Sequence, residues 1–273
     1  FLVQRLTIRT LFSHVRRRKL RAQLALRQLI RECSGPVPLD DALTARNKSR
    51  TPDALEPHPS GYLAPGRDIG DHVLSEWLGE EELGMWTMAV DTLEALGRMV
   101  AARRPALIME FGSGVSTLCL GQFMRTSGCV SAGPAVISIE QSQEYAQKTR
   151  DLLSKHGLSD VCDVLHAPLQ PCEFEGEASV CYAIDGGQLS ASLGERGVDL
   201  LVVDGPAGDR FPTALSVAEF LSPGAMIVLD DAWRDAELEV ARRWALLPWL
   251  RVEGILPVGK GLLVAETVEG GDR

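Results

Sequence analysis

Carboxylate side chains directly follow several short apolar segments of this sequence. Carboxylates can accept hydrogen bonds from sugar hydroxyls, bind hard cations such as Mg²⁺, or take a proton from a reacting group. Their placement after apolar segments suggests a common site rather than a scatter over the surface. The residues concerned are Glu110, Glu140, Asp204, Asp230 and Asp231.

The elements that must position these acids alternate between apolar and amphipathic segments, which predicts an α/β fold with a parallel sheet. Strands are predicted at 106–109, 135–139, 161–165, 198–203 and 225–229, and a terminal β-hairpin at 250–256 and 262–268. Helices are predicted at 116–124, 142–156, 211–221 and 235–246, whereas 166–197 has no clear period. Because ligands bind beyond the carboxyl ends of parallel strands, the acids are expected at the binding edge.

A glycine-rich loop, Glu110-Phe-Gly-Ser-Gly-Val-Ser-Thr117, follows the first strand and opens a helix, as a nucleotide-binding loop does. Gly112 and Gly114 would let the backbone approach a ligand closely. A dinucleotide fingerprint would place a third glycine at Thr117, and there is no phosphate-binding lysine in the loop. An acid at Glu110 suits a ligand with an ammonium group better than a pyrophosphate.

Glu140 closes the second strand, where a carboxylate can accept both hydroxyl protons of a ribose. An acid and two glycines after one strand, with an acid after the next, indicate a nucleoside-containing cofactor. The alternative is that Glu110 and Glu140 are merely surface carboxylates at strand ends.

From residue 106 onward the chain resembles the class I S-adenosylmethionine (SAM)-dependent methyltransferases, in its glycine-rich loop, its ribose acid and the Ser116-Thr117 pair that opens the helix. The resemblance implies a Rossmann-like seven-stranded sheet of order 3-2-1-4-5-7-6 with an antiparallel last strand. Its implied cofactor residues are Glu110, Gly112, Ser113, Gly114, Ser116, Thr117, Glu140, Gln141, Ala167 and Asp204.

Asp204, Asp230 and Asp231 end the fourth and fifth predicted strands, which are neighbours in that sheet. Three converging carboxylates repel one another, and a divalent cation such as Mg²⁺ would relieve the repulsion. This pattern is similar to the metal-dependent O-methyltransferases. Where the catechol type has a catalytic lysine this chain has Ala207, so Asp204 is the predicted base. Alternatively, the three acids only cap a turn and a helix.

The N-terminal part of the chain differs in charge and composition. Residues 1–34 contain nine lysines and arginines against one acid, Glu32, with apolar residues at helical spacing. They predict a basic amphipathic helical arm, which would bind an anionic membrane surface, a nucleic acid or an acidic partner, or would pack on its own domain or a second subunit. We predict a Pro/Gly-rich linker at 35–70, a helical cap at 71–104 and the SAM-binding domain at 105–273.

The whole chain has 273 residues and a net charge of -9, which argues against a catalytic domain that binds nucleic acid. Its six cysteines show no CxxC spacing, so we expect reduced thiols and a cytoplasmic protein. No apolar run is long enough to predict a transmembrane segment. Because Phe1 is not methionine, we expect residues to precede it.

Taken together, these patterns predict a SAM-dependent methyltransferase that modifies a hydroxyl oxygen of a small molecule with the help of Mg²⁺. The alternatives are a metal-free methyltransferase acting on nitrogen or carboxylate, and a non-catalytic interaction module that keeps the fold. Homo-oligomerisation is left open. Thr117 disfavours a nicotinamide dehydrogenase.

Overall fold

A computed structural model describes residues 38–40, 43, 87–130, 133–174, 176–207 and 210–268. The predicted arm at 1–34, most of the predicted linker and residues 71–86 of the predicted cap lie outside this part. The division into arm, linker and cap therefore stays a prediction. Within the predicted linker, Leu39 and Leu43 are helical and pack against the core of the domain.

Seven strands form one sheet of order β3-β2-β1-β6-β7-β9-β8. They are β1 (Ile108–Phe111), β2 (Val136–Glu140), β3 (Cys162–His166), β6 (Val198–Val203), β7 (Leu221–Leu229), β8 (Leu250–Leu256) and β9 (Leu262–Thr267). Strands β3, β2, β1, β6 and β7 are parallel to one another, and strand β9 is antiparallel to both of its neighbours. Strands β4 (Leu169–Phe174) and β5 (Glu177–Tyr182) form a separate hairpin. Once they are left out of the count, the order of the main sheet is the predicted 3-2-1-4-5-7-6, so the prediction is confirmed.

Helices cover both faces of the sheet. They are α1 (Val90–Arg103), α2 (Val115–Thr126), α3 (Gln143–Lys155), α4 (Gly186–Leu193), α5 (Phe211–Leu215) and α6 (Asp235–Trp244). Side chains of α1 and α2 share one apolar core with alternate sheet residues such as Ile108, and those of α4, α5 and α6 share the other with residues such as Met109. Every residue of β1 and β2 is buried, as is typical of central parallel strands covered on both faces.

Two local predictions differ from the structure. Residues 166–197 contain a separate hairpin, β4 (Leu169–Phe174) and β5 (Glu177–Tyr182), followed by α4. The hairpin was missed because many of its residues are exposed and Pro171, which cannot donate to a ladder, lies inside it. The helix predicted at 211–221 ends at Leu215, because β7 begins at Leu221 with an irregular register opposite β6.

The strand register brings the predicted site residues to one level. Phe111 pairs with Ile139 and Val203, and Val203 pairs with Leu229. The next residue of each strand therefore emerges at the same edge of the sheet. These residues are Gly112, Glu140, Asp204 and Asp230.

None of the helices described is both long and apolar enough to cross a membrane.

Candidate active site

The glycine-rich loop joins β1 to α2 at the carboxyl edge of the sheet. Gly112 has a φ of 92°, in the left-handed region that favours glycine, and its amide donates to Ile139 O at 2.9 Å. A Cβ built on Gly112 would lie 3.8 Å from Cβ of Asp204. The loop thus runs directly beside the end of β6, and the first N–H groups of α2 point toward the same edge.

Glu110 lies beneath this loop, fully buried between the sheet and α2. Its Oε2 accepts hydrogen bonds from Thr117 Oγ1 at 2.6 Å and Ser138 Oγ at 3.0 Å. Burial raises the pKa of Glu110 to about 7, although these hydroxyl donors oppose the shift. Thr117 Oγ1 also accepts from the Gly114 amide at 3.1 Å. The observed contacts therefore indicate that Glu110 stabilises the loop. Direct contact between Glu110 and a cofactor ammonium group stays a prediction.

Glu140 ties the loop to the end of β2. Its Oε2 accepts from the amide of Ser113 at 2.9 Å and from Ser113 Oγ at 3.0 Å, and its Oε1 accepts from the amide of Ser142 at 2.8 Å. A carboxylate oxygen has two lone pairs, so Oε1 can still accept a ribose hydroxyl. Glu140 is therefore fixed in place at the position where the sequence predicts the ribose.

The remaining predicted cofactor residues surround this pair. Gln141 is exposed just after Glu140, and Ala167 is buried after β3, where its amide donates to Glu140 O at 2.8 Å. Ser116 is buried in the first turn of α2. The structure thus brings these predicted cofactor residues to the ends of β1, β2 and β3, and it places Asp204 directly after β6.

The three predicted metal ligands converge. Asp204, Asp230 and Asp231 each offer a carboxylate oxygen, and these oxygens all lie within 4.8 Å of one another. Asp204 is half-buried, and the other two are buried. Burial and the neighbouring Asp230 carboxylate raise the pKa of Asp204, and burial and Asp231 raise that of Asp230. The expected mutual repulsion is therefore present at this edge.

Cationic side chains of the protein also reach this cluster, although the sequence pattern does not predict them there. Arg210 is buried and places its guanidinium 3.1 Å from Asp204 Oδ1 and 3.5 Å from Asp231 Oδ2. Arg234 lies 2.8 Å from Asp231 Oδ2, and Lys260 Nζ lies 3.3 Å from Asp231 Oδ1. Part of the negative charge is therefore neutralised without a metal ion.

The comparisons with known proteins agree with this geometry. Residues 109–232 match a protein family described as a methyltransferase domain. Together with the strand order, this match confirms the prediction of a class I SAM-dependent methyltransferase. No curated protein sequence compared with the chain matches it.

Solved structures share the fold of the methyltransferase domain. An O-methyltransferase from Bacillus cereus in complex with S-adenosylhomocysteine (SAH) has a TM-score of 0.52 at 20% identity, over 72% of this chain and 91% of its own. An SAH-bound methyltransferase from Podospora anserina has a TM-score of 0.54 at 15% identity, over 94% of this chain and 96% of its own. The O-methyltransferase TomG from Streptomyces achromogenes, in complex with SAM, has a TM-score of 0.50 at 17% identity, over 74% of this chain and 91% of its own. At these identities the likeness establishes the fold.

Two residues to which the sequence pattern assigns no role occupy central positions in the methyltransferase domain. One is Arg210, described above. The other is Tyr182 at the end of β5, whose buried ring lies 5.0 Å from that of Phe111 and whose hydroxyl contacts the position of a Cβ built on Gly205. Neither has a sequence signal of its own, because arginines and tyrosines in loops are common and only the fold brings these two to the edge of the sheet.

Proposed function

We propose that the chain binds SAM along the Gly112–Gly114 loop and transfers its methyl group to a hydroxyl oxygen of a small molecule. The observation that carries this proposal is the contact between two sites: the cofactor loop runs directly beside Asp204. We call the cluster of Asp204, Asp230 and Asp231 the acidic edge. A methyl donor on the loop and an acceptor at the acidic edge would then be neighbours. Such positioning of two reactants is a large source of rate in bimolecular transfers.

The cofactor would be held chiefly by residues that the protein has already fixed in place. Glu140 would accept the ribose hydroxyls with lone pairs that its bonds to Ser113 and Ser142 leave free. Gln141 and Ala167 would border the adenine, and Glu110 would support the loop from below. Tyr182 would close one side of the crevice.

In the proposed reaction the acceptor oxygen attacks the methyl carbon in line with the departing sulfur. The new C–O bond forms as the C–S bond breaks, and the cofactor leaves as neutral SAH. The hydroxyl proton passes to the Asp204 carboxylate, which stands nearest to the loop among the three aspartates at this edge. Asp204 would then return the proton to solvent.

The donor set at the acidic edge suits a divalent cation. Asp204, Asp230 and Asp231 would hold it through carboxylate oxygens, which are the ligands that Mg²⁺ prefers. A bound ion of this kind supplies Lewis acidity, lowering the pKa of an acceptor hydroxyl and orienting its oxygen. We include Mg²⁺ in the proposed function on this basis.

Isothermal calorimetry with SAH tests the cofactor site. Glu140→Ala is expected to weaken SAH binding by about 1–3 kcal/mol, because charged hydrogen bonds are lost. The matched control is Glu144→Ala, which removes an exposed glutamate paired with Lys148 on α3 and leaves SAH binding unchanged. Unchanged SAH binding by Glu140→Ala, or binding of NAD by the native protein, would contradict the proposal.

Removal of divalent ions tests the metal. Methyl transfer to a hydroxylated acceptor is expected to stop in excess EDTA and to return with added Mg²⁺. A metal-free methyltransferase is the second candidate, and the three cations beside Asp204 and Asp231 favour it. Full turnover after exhaustive chelation, with unchanged SAH binding, would support that candidate and reject the metal.

We also propose that the reaction takes place in the cytoplasm. Five cysteines in the described part are free thiols: Cys119, Cys129, Cys162, Cys172 and Cys181. Free thiols are typical of a reducing compartment. Labelling all thiols in freshly isolated native protein, before and after reduction, tests whether they are reduced in the cell.

A further inference from the structure

Arg210 is a buried arginine that lies beside the acidic edge. It is only 3% exposed, and it lies at the start of α5, between the acidic edge and α6. Its Nη1 donates to Asp230 O at 2.7 Å, and its Nη2 donates to Asp204 Oδ1 at 3.1 Å. The guanidinium is therefore a cation built into the site.

The carboxylates of the acidic edge are not equally engaged with the cations. Both oxygens of Asp231 face cations: Oδ1 faces Lys260, and Oδ2 faces Arg234 and Arg210. Asp204 uses one oxygen, on Arg210. No side chain in the described part of the chain donates to the buried carboxylate of Asp230. Asp230 and the second oxygen of Asp204 are thus the ligands most open to an added cation.

Besides Asp204 and Asp231, Arg210 faces a third carboxylate outside the aspartate cluster. Its Nε lies 3.7 Å from Oε1 of Glu237, a buried residue of α6. Among the described residues, neither Arg210 Nε nor Glu237 Oε2 has a hydrogen-bond partner. A surface cavity of about 230 Å³ is lined by both side chains. A small shift of the guanidinium toward Glu237 would complete a charged hydrogen bond that this arrangement leaves unmade.

We propose that Arg210 is a positioning residue whose guanidinium has two positions. In the metal-free protein it neutralises Asp204 and Asp231, and when a divalent cation binds it moves toward Glu237. This inference rests on the metal site of the proposed function. A divalent cation bound to Asp204 and Asp231 would lie close to the guanidinium of Arg210, and the two positive charges would repel each other. The cation and the guanidinium therefore compete for the same carboxylate oxygens. Arg210 therefore sets how tightly the metal is held.

The test is a titration of the full chain with Mn²⁺. The electron paramagnetic resonance signal of the free ion measures how much Mn²⁺ stays unbound at each step and so gives the affinity. Arg210→Met removes the competitor, and its affinity for Mn²⁺ is expected to rise by about tenfold. Glu237→Gln removes the second site of the guanidinium, and its affinity is expected to fall by about threefold. A structural role alone would not move the two variants in opposite directions.

Arg125→Met is the matched control for the loss of one positive charge. Arg125 pairs with exposed Asp160, at the end of α2 far in sequence from the acidic residues, and its replacement is expected to leave Mn²⁺ affinity unchanged. Circular dichroism checks that each variant is folded. If Arg210→Met does not fold, Glu237→Gln decides alone: weaker binding supports the proposal and unchanged binding overturns it.

Equal Mn²⁺ affinities of the native protein and a folded Arg210→Met variant would overturn the inference and leave the proposed function standing. If no protein of the series binds Mn²⁺, the inference fails together with the metal part of the proposed function. The SAH calorimetry is unaffected by that result, so it still distinguishes a methyltransferase without a metal from a protein that binds no cofactor.

Discussion

Two regions lie side by side at the carboxyl ends of the parallel strands: the cofactor edge, formed by Glu110, Glu140 and the glycine-rich loop, and the acidic edge. Both contain acids at strand ends, but the partners of those acids differ. Glu110 and Glu140 receive hydrogen bonds from neutral hydroxyl and amide groups of the glycine-rich loop and its neighbours. Asp204 and Asp231 face arginine and lysine side chains. The same residue type therefore stabilises a loop at one place and forms a charged cluster at the other.

The difference in partners indicates a difference in task. Neutral donors hold the two glutamates in fixed positions, which suits a preformed binding site. At the acidic edge, cations can exchange for one another, because ion pairs depend on charge more than on a single geometry. We therefore expect substitutions at the cofactor edge to affect binding and stability, and substitutions at the acidic edge to affect turnover.

The largest expected effect is that of Asp204→Asn on turnover. Loss of the proposed base is expected to reduce methyl transfer by at least about a hundredfold, whereas SAH affinity stays within about twofold because the proposed cofactor site lies mainly on β1 and β2. Steady-state kinetics and SAH calorimetry on the same preparation measure both quantities. Asp199→Asn, at the opposite end of β6, is the control and is expected to keep full turnover. A variant at Asp204 with native turnover would remove the functional contrast between the two edges.

The next effect concerns the pH dependence of stability at the cofactor edge. The pKa of Glu110, about 7 in the folded protein against an ordinary value of 4.5, means that the folded state keeps a proton that the unfolded chain releases. Stability from this group is complete below pH 4.5, and it falls by about 3 kcal/mol as the pH rises to 7.

Glu110→Gln mimics the protonated side chain, so its free energy of unfolding should lack that loss. Urea unfolding of both proteins at pH 5 and pH 8 gives the comparison, and the other titrating groups cancel in the difference. Parallel pH profiles of the two proteins would show that Glu110 is not the buried acid described above.

The smallest effect is expected at Gly205, where the two edges meet. A Cβ on Gly205 would overlap the Tyr182 hydroxyl, so Gly205→Ala is expected to destabilise the protein by about 1–3 kcal/mol. The penalty should shrink in a Tyr182→Phe background, which removes the overlapping atom. Gly186→Ala, where a Cβ meets no atom within 4 Å, is the control. Additive effects of the two substitutions in thermal unfolding would rule out this contact.

The fold could be predicted where the sequence pattern is local. Buried parallel strands appear as short apolar segments, and their alternation with amphipathic segments predicts an α/β fold. The order of the strands in the sheet followed from the family resemblance. The β4–β5 hairpin could not be predicted in the same way, because it lies outside the main sheet and its residues are largely exposed. The early end of α5 at Leu215 depends on the pairing of β7 with β6.

The sequence by itself determined that acids follow the strands, because a strand end is a local feature and parallel strands share one edge. Tertiary structure decided what those acids contact. Glu110 faces the hydroxyl of Thr117 because α2 packs over the sheet, and Asp204 faces Arg210 because α5 returns the chain to the same edge. Such contacts depend on side chains that are brought together only by packing, and no spacing along the chain encodes them.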